Sequence, residues 1–390
     1  MSAGTPVGST VTGGPAQPPR GNGPVGVGVI GAGVIAGAYL DNLTAFPDLQ
    51  VRAIGDQDRQ AAALRAEQYG IDTHGEAEAV LGHPQVEIVV NLTTPAAHVP
   101  VALAAVAAGK HVWNEKPLAL DVAAGQELLE QAAAADLRVG CAPDTVLGAG
   151  IQSARRIIDR GDIGRPLTAL ALMQSPGPDL WHPNPAFLFT EGAGPLFDIG
   201  PYYLTTLISI FGSVGTVAAQ ASTARTERSI GSGPMAGQTF PVTVATHMGA
   251  LLGFEAGTSA QTVFSFDSPA PRHGFVEIAG TEATIALPDP NQFDGQIRLW
   301  RTGADEWEVI DSVGPAHGRG LGVLEMARAI RTGTEHRASG ALALHVLDVM
   351  AGITRSADTG QFVPVTTKAP PVPVLADDFD PAAATWERSA

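Results

Sequence analysis

The sequence predicts an α/β protein with two domains. The first is a doubly wound parallel sheet, and the second is an α/β domain with an open, mainly antiparallel or mixed sheet. Strand-like apolar runs alternate with helical segments over residues 25–143, as in parallel βαβ units. Beyond about residue 165, strand-like segments follow one another without helices between them, which favours antiparallel pairing. The length of 390 residues suits about two domains.

Both ends of the chain predict tails rather than folded elements. Residues 1–24 are rich in Gly, Pro, Ser and Thr, with Arg20 as their one charged side chain, so we expect them to be disordered. Residues 366–390 predict an extended tail. The folded part is expected to divide into residues 25–143 and 144–365. Within the second domain, the polar, Gly-rich stretch Thr223–Thr239 predicts an exposed loop.

The bulk composition excludes several classes of partner. A net charge of −16 argues against nucleic acid or an anionic membrane surface as the main partner. No apolar run reaches the roughly 18–20 residues of a membrane span, and the first residues lack the basic and apolar regions of a signal peptide. We therefore expect a cytoplasmic protein. The single cysteine, Cys141, rules out an internal disulfide.

A glycine motif lies between the first predicted strand, residues 25–30, and the helix that follows it. Gly31–Ala36 reads G-x-G-x-x-A. In a Rossmann domain the first glycine makes the tight turn, the second lets the backbone approach a pyrophosphate, and the last small residue allows close packing. The alternative is a plain Gly-rich turn. The motif predicts dinucleotide contacts from Gly31, Gly33, Val34 and Ile35.

The second predicted strand, residues 50–56, ends in an acid, Asp56. It lies about 20 residues beyond the motif, where a carboxylate binds the ribose hydroxyls of NAD. Its alternative role is an N-cap for the predicted helix Arg59–Tyr69. Arg59 lies close enough to keep NADP open as the alternative cofactor.

A predicted buried strand, residues 110–114, runs directly into Glu115-Lys116-Pro117. Proline biases the residue before it away from the helical region, so Lys116 is expected in an extended turn. Ligands of open parallel sheets bind just beyond the carboxyl ends of the strands. Lys116 is therefore a candidate catalytic residue, and the alternative is a solvated lysine at a strand end.

These motifs together resemble the Gfo/Idh/MocA oxidoreductase family. The resemblance is carried by Gly31–Ala36, Asp56, Thr94-Pro95-x-x-His98 and Glu115-Lys116-Pro117, and it covers roughly residues 25–365. It implies a Rossmann domain and a C-terminal open-sheet domain. It also implies oxidation or reduction of a carbinol carbon of a sugar, cyclitol or related polyol with NAD(H) or NADP(H). Further cofactor contacts are then expected from Thr93, Thr94, Pro95, His98, Glu115 and Lys116.

The second half of the chain extends this resemblance and departs from it at one position. Asp198 and Gly200 align with the Asp-x-Gly-x-His pattern of the family, and Tyr202 stands in place of the histidine. One branch of the family is similar in having Asp-x-Gly-Pro-Tyr-Tyr here, and it also tends to carry an upstream Trp-His-Pro-x-Pro segment. This chain has that segment at Trp181–Pro185.

Hydride transfer from a carbinol requires a proton acceptor and electrostatic support for the developing alkoxide. Lys116 suits both tasks. Burial and a nearby nicotinamide cation are expected to lower the pKa of Lys116 toward neutrality. Asp198 is its expected partner, opposing that shift and orienting the ammonium; the alternative for Asp198 is a charge that caps or begins a helix.

Two residues compete as proton carriers in place of the family's histidine. Tyr202 lies four residues after Asp198, on the same helix face, and His182 lies in a Pro-rich loop beside Trp181. Trp181 suits the apolar face of a sugar ring. Asp144 follows the last Rossmann strand and is expected to face the cleft, with helix capping as its alternative. The predicted substrate contacts are therefore Trp181, His182, Asp144 and Tyr202.

Three further expectations complete the prediction. Histidine and cysteine spacings show no metal-binding pattern, so no metal is expected. The chain is expected to form a homodimer or homotetramer through its open sheet. Two other functions stay open: transient oxidation by bound NAD during glycoside cleavage or epimerisation, and a non-catalytic cofactor-binding regulator.

Overall fold

The computed structural model describes residues 23–314 and 317–386. The predicted disordered tail, residues 1–24, therefore lies almost wholly outside the described residues. Residues 387–390 of the predicted extended tail also lie outside them.

The N-terminal part forms a six-stranded parallel sheet in the order β3-β2-β1-β4-β5-β6. This order is that of a doubly wound dinucleotide-binding domain, and it confirms the predicted fold class. The strands are β1 (Val25–Ile30), β2 (Leu49–Gly55), β3 (Thr73–Gly75), β4 (Ile88–Asn91), β5 (His111–Asn114) and β6 (Val139–Cys141). The helices are α1 (Val34–Leu43), α2 (Arg59–Tyr69), α3 (Ala77–Leu81), α4 (Pro95–Ala107) and α5 (Val122–Ala134).

Local sequence explains where these elements begin. All six residues of β1 are buried, as expected for a central strand with helices on both faces. The Asp58 side chain accepts hydrogen bonds from the amides of Gln60 and Ala61, so Asp58 caps α2. The capping role considered for Asp56 is therefore wrong. Asp121 caps α5 by accepting a hydrogen bond from the amide of Ala124.

The C-terminal part forms a nine-stranded mixed sheet in the order β16-β15-β14-β13-β7-β12-β11-β8-β17. Only β7 and β12 pair in parallel; the other neighbours of this sheet within the described chain are antiparallel. The strands are β7 (Pro166–Gln174), β8 (Val214–Ser222), β11 (His247–Phe254), β12 (Ser259–Ser265), β13 (Arg272–Gly280), β14 (Ala283–Leu287), β15 (Ile297–Arg301), β16 (Glu308–Ile310) and β17 (Val363–Pro364). The helices are α6 (Ala149–Asp159), α7 (Gly194–Phe211), α8 (Leu321–Thr332) and α9 (Gly340–Thr359).

The segment Thr223–Thr239 is not simply the exposed loop that its polarity predicts. It contains β9 (Glu227–Ser229), which pairs with β10 (Thr239–Pro241). Arg228 in β9 is buried and forms ion pairs with Asp179 at 2.7 Å and Asp267 at 2.5 Å. A guanidinium with two carboxylate partners can be buried at acceptable cost. This pairing anchors the hairpin beside the loop that carries Trp181.

Helix α8 packs against the N-terminal sheet through Trp113 of β5, which is fully buried. An added Cβ at Gly322 would lie 2.0 Å from the Trp113 ring. Only glycine allows such a close approach. This contact brings the residues just before α8 to the carboxyl edge of the parallel sheet.

The C-terminal segment, residues 365–386, is extended and packs on the body of the protein. Arg337 donates to the carbonyls of Pro373 and Val374, at 2.8 and 2.9 Å. The Thr385 amide donates to Asp48 beside β2, at 2.8 Å. The segment therefore contacts the connection between α8 and α9 and the start of β2. Across the described ranges, no helix has the length and apolarity needed to cross a membrane.

We predict that stability falls as the pH falls from about 6.5 to 4, in part because of His336; burial also lowers the pKa of His111 to about 4, which adds to the fall. The Nε2 of His336 lies 3.2 Å from the Val139 carbonyl, and its buried Nδ1 has no hydrogen-bond partner in the described structure. Burial lowers the pKa of His336 to about 4. Between the two pKa values the unfolded chain binds a proton that the folded protein does not, which costs at most roughly 3 kcal/mol.

Unfolding free energy measured against pH checks this. His336→Gln retains a donor for Val139 and cannot titrate, so its curve should be flatter in this range. The exposed His74→Gln should follow the wild-type curve. Equal slopes for His336→Gln and wild type would contradict the assignment.

Candidate active site

The turn between β1 and α1 leaves an open anion-binding surface. Gly31 has φ of +110°, and an added Cβ would lie 2.6 Å from the Leu92 carbonyl oxygen. An added Cβ at Gly33 would meet nothing within 4 Å, and Val34 is 95% exposed. No side chain caps α1. The first amides of α1 are thus available to a phosphate group, which fits the pyrophosphate of a dinucleotide; half-buried Ile35 follows on the same turn.

Asp56 lies at the carboxyl end of β2, beside this turn. Its Oδ2 accepts from the Ala32 amide at 2.7 Å and its Oδ1 from the Asp58 amide at 2.8 Å. The carboxylate is therefore fixed against the glycine turn, where an acceptor for ribose hydroxyls is expected. Arg59 points to Glu76, 2.7 Å away, so its guanidinium is already paired with a carboxylate.

The turn after β4 is organised from beneath by buried polar side chains. The Thr93 hydroxyl donates to Asn91 Oδ1 at 2.6 Å. Thr94 and Pro95 are exposed at the start of α4. This turn therefore offers Thr94 and Pro95 to a ligand, while Thr93 faces the protein.

His98 is buried and does not face the open surface on which a cofactor contact was expected. Its Nδ1 lies 2.7 Å from the Pro117 carbonyl and its Nε2 lies 3.1 Å from the Thr93 carbonyl. Burial lowers the pKa of His98. The ring therefore joins the turn after β4 to the Lys116-Pro117 turn, and it positions both.

Lys116 follows β5 and reaches across to the second part of the chain. Its Nζ donates to Asp198 Oδ1 at 2.9 Å and to the Asp198 carbonyl at 2.5 Å. It also lies 5.4 Å from the centroid of the Tyr202 ring. Asp198 is the fifth residue of α7, and the N-cap position is Ala193. Asp198 is therefore an ion-pair partner within the helix, and the capping alternative is wrong.

The expected lowering of the Lys116 pKa is not found. Burial acts to lower the pKa of the ammonium, but the Asp198 carboxylate, Tyr202 and Glu115 outweigh it and raise the pKa above its usual value. A buried ammonium beside a carboxylate stays charged because the opposite charge compensates for lost solvation. In this arrangement Lys116 is a cationic hydrogen-bond donor.

Glu115 points into the protein rather than toward a cofactor, in contrast to the prediction. Its Oε1 accepts from the Tyr39 hydroxyl at 2.8 Å, and its Oε2 accepts from the Lys116 amide at 2.9 Å. The residue is 8% exposed. Glu115 therefore fixes the backbone that carries Lys116.

Sequence reasoning missed one residue of this cluster, Arg319. Its Nη2 donates to the Tyr202 hydroxyl at 2.9 Å, and its Nη1 lies 3.9 Å from Glu115 Oε1. Arg319 precedes α8 in the run Gly318-Arg319-Gly320. A charged residue between glycines at a helix start is the signal that could have drawn attention to it.

Asp144 is fully buried and does not face an open cleft, so the predicted substrate contact is not what the geometry favours. Its Oδ2 accepts from the amides of Gly320 and Gly322, at 2.9 and 3.1 Å. Burial raises the pKa of Asp144 to about 6, against the opposing effect of Arg319. Asp144 thus stabilises the N-terminus of α8, a helix far along the chain.

Trp181 and His182 form an exposed aromatic group with Phe187. Trp181 is 67% exposed and Phe187 is 54% exposed. The His182 ring lies 5.6 Å from the ring of Trp181 and 5.5 Å from that of Phe187, and its Nδ1 accepts from the Asn184 amide at 3.0 Å. Within the described residues, the hydrogen bonds and ring contacts of His182 stay in its own loop. The structure brings Tyr202 to Lys116, whereas it leaves His182 apart from both.

Two family models match the chain. The model for the oxidoreductase family with an NAD-binding Rossmann fold matches residues 25–142, and the GFO/IDH/MocA C-terminal domain model matches residues 151–286. The chain belongs to the Gfo/Idh/MocA oxidoreductase family. The predicted resemblance and the NAD-binding domain are thereby confirmed.

Named relatives and a solved structure agree with this assignment. Trans-1,2-dihydrobenzene-1,2-diol dehydrogenase of Mus musculus is 29% identical over 181 residues, 46% of this chain and 54% of that enzyme. The 1,5-anhydro-D-fructose reductase of Ensifer adhaerens is 28% identical over 213 residues, 53% of this chain and 59% of that enzyme. The matches thus span little more than half the length of these relatives.

The solved structure of levoglucosan dehydrogenase in complex with NADH and L-sorbose is similar in fold. The TM-score is 0.74 at 22% identity, over 88% of this chain and 100% of that chain. At this identity the likeness concerns the fold alone.

We predict that Asp56→Ala weakens NAD binding roughly tenfold or more, because the ribose hydroxyls lose an acceptor. Turnover at saturating NAD should change little. Asp56→Asn retains an acceptor for the Ala32 amide and should lose less affinity. Isothermal titration with NAD measures this, with the exposed Asp72→Ala as the matched control. An unchanged affinity in Asp56→Ala would remove the residue from the cofactor site.

Proposed function

We propose that this protein transfers a hydride between NAD, or alternatively NADP, and a carbinol carbon of a sugar, cyclitol or related polyol. The observation that carries the proposal is the ion pair between Lys116 and Asp198, 2.9 Å apart. It lies at the carboxyl edge of the parallel sheet, where Gly31 and Asp56 form the dinucleotide-binding turn. That edge is where ligands of such sheets bind.

The cofactor, when bound, supplies a nicotinamide ring that accepts or gives the hydride. The residues proposed to hold it are grouped at the ends of β1, β2 and β4. The first amides of α1 suit its phosphates, and the Asp56 carboxylate suits its ribose. Thr94 and Pro95, which are exposed in the turn after β4, are proposed as further contacts of the cofactor.

Lys116 is proposed to bind the reacting oxygen of the substrate. An ammonium has three N–H donors, and the two described hydrogen bonds of Nζ both go to Asp198. The third donor can reach a substrate oxygen. A fixed positive charge beside the developing alkoxide stabilises the transition state more than the ground state. Asp198 keeps that charge in place.

Tyr202 is proposed as the proton carrier. Its ring lies 5.4 Å from Lys116 Nζ, on the helix face that also carries Asp198. Burial raises the pKa of Tyr202, while Lys116 and Arg319 act to lower it. At neutral pH the phenol is therefore protonated and beside two cations that favour the phenolate. His182 is the alternative proton carrier. It could take this role only if substrate binding moved the His182 loop to Lys116.

The substrate class follows from chemistry and from the names of relatives. Relatives of this chain include a 1,5-anhydro-D-fructose reductase and inositol 2-dehydrogenases, the latter 32% identical over 121 residues for the Pseudomonas syringae protein. The exposed ring of Trp181 offers a flat apolar surface, which suits the apolar face of a sugar or cyclitol ring. A polyhydroxylated ring is thus the proposed substrate.

One assay set tests the proposed reaction. The purified protein is incubated with NAD or NADP and a panel of sugars, cyclitols and polyols, and reduced nicotinamide is followed by absorbance. Net reduction of the cofactor supports the dehydrogenase. Consumption of a sugar without net reduction favours transient oxidation, and cofactor binding without turnover of any panel member favours a regulator.

We predict that Lys116→Ala lowers turnover by about 10²-fold or more, since the reacting oxygen loses its cationic donor. NAD affinity should stay near the wild-type value. The matched control is Lys368→Ala, which removes an exposed lysine whose partner is Glu255. Steady-state kinetics with a substrate from the panel measure the effect. Wild-type turnover in Lys116→Ala would rule out a catalytic role for this residue.

A further inference from the structure

We propose that Arg319 is a positioning residue that fixes the Tyr202 hydroxyl so that its proton is presented to the substrate oxygen. The proposal deepens the proposed oxidoreductase function and rests on it. It also decides between the two rival proton carriers, because His182 has no comparable partner among the contacts of its loop.

The hydrogen bond between Arg319 and Tyr202 can run in one direction only. Arg319 Nη2 lies 2.9 Å from the Tyr202 hydroxyl oxygen. A guanidinium can only donate hydrogen bonds, so the Tyr202 oxygen is the acceptor. Within residues 23–314 and 317–386, the Tyr202 hydroxyl has no second hydrogen-bond partner. Its own O–H is therefore free for an acceptor from outside the protein, such as a substrate oxygen.

The backbone around Arg319 is held by hydrogen bonds to two other segments of the chain. Asn42 Nδ2 donates to the Arg319 carbonyl at 3.0 Å, and Asp144 accepts from the next amide, that of Gly320, at 2.9 Å. The Arg319 side chain is 18% exposed. These contacts hold the backbone at Arg319, and its side chain is placed by Tyr202, by Asn291 Oδ1 at 3.5 Å from Nη2 and by Glu115. Asp144 thus acts on the site through Arg319.

The charges around Tyr202 suit a proton donor. Lys116, from the turn after β5, and Arg319, from the turn before α8, lie 5.4 and 5.6 Å from its ring centroid. Glu115 acts in the opposite sense on the Tyr202 pKa. On the helix of Tyr202 itself, Asp198 is paired with Lys116. Burial has the largest effect on the Tyr202 pKa and raises it. The two cations act against burial and outweigh the one inward-pointing carboxylate, so they offset part of the cost of the phenolate left after proton transfer.

In the direction of carbonyl reduction, the substrate gains one hydride and one proton. The carbonyl carbon takes the hydride of the reduced nicotinamide, and the C=O π bond breaks onto its oxygen. That oxygen takes the Tyr202 proton, which leaves a phenolate beside Arg319 and Lys116. The phenolate regains a proton from water. In the direction of alcohol oxidation each transfer is reversed.

A double-mutant cycle tests whether Arg319 acts through Tyr202. The variants are Tyr202→Phe, Arg319→Gln and the double variant, and kcat/KM for carbonyl reduction is measured for each. We expect each single change to lower kcat/KM by roughly 10²-fold, the usual size of a general acid effect. The double variant should lose no more than Tyr202→Phe alone. Losses that multiply would show that Arg319 acts independently of Tyr202 and would overturn the proposal.

The pH profile separates positioning from a general structural role. The alkaline limb of kcat/KM for reduction reports loss of the Tyr202 proton, and in Arg319→Gln it should move to higher pH because a cation is gone. Arg319→Lys, which keeps the charge, should restore most of that shift. A uniformly lower profile with an unmoved limb would contradict the proposal. Arg301→Gln, which removes a surface arginine paired with Glu308, is the matched control.

A spectroscopic measurement decides the contact without turnover. The chain has four tyrosines, so ¹³C labelling at the tyrosine ζ carbon gives four resonances, and Tyr202→Phe assigns that of Tyr202. Arg319→Gln should shift the Tyr202 resonance well beyond the other three, and an unshifted resonance would overturn the proposal. A shifted resonance in a protein that turns over no panel member would count against the proposed reaction and leave the contact between Arg319 and Tyr202 standing.

Discussion

The structure depends on an ion pair that joins the two parts of the chain, between Lys116 after β5 and Asp198 in α7. Burying a lysine is unfavourable unless an opposite charge and hydrogen bonds compensate for lost water. Here the carboxylate and carbonyl of one residue provide both. The pair can form only when α7 lies against the carboxyl edge of the parallel sheet. Lys116 can therefore stay charged in this position only while α7 is in place. The open turn with Asp56 lies at the same edge of the sheet.

Around this pair, buried polar residues hold the neighbouring turns so that few side chains remain free. Glu115 fixes the Lys116 amide, and His98 joins the same turn to that of Thr93. Asp144 stabilises the start of α8. Several residues that resemble ligand contacts by sequence thus bind the protein itself. The groups left for ligands include the first amides of α1, the Asp56 carboxylate, Thr94 and Pro95, one donor of Lys116, the Tyr202 O–H and the aromatic surface at Trp181.

The sequence predicted those site residues that belong to short motifs of neighbouring residues. The Gly31–Ala36 motif, the acid at Asp56 and the strand that ends before Lys116 are each readable from spacing and residue type. Prediction failed where a contact joins distant segments. Asp144 accepts a hydrogen bond from the Gly320 amide, 176 residues away. No sequence pattern around either residue predicts this contact. Arg319 was missed for the same reason. In Thr223–Thr239, which is mostly exposed as expected, the short strand β9 and buried Arg228 were missed because the two carboxylates that pair with Arg228 lie in other segments. The domain division at residue 143, the oligomeric state and NADP as alternative cofactor stay predictions.

The central claim is that Lys116 and Asp198 form the reacting centre, and a structure of the protein with NAD and a turned-over polyol tests it most directly. We expect the reacting hydroxyl oxygen to lie within about 3 Å of Lys116 Nζ, with its carbon facing the nicotinamide. A polyol bound with no oxygen within hydrogen-bond distance of Lys116 would contradict the proposed role of Lys116 and Asp198.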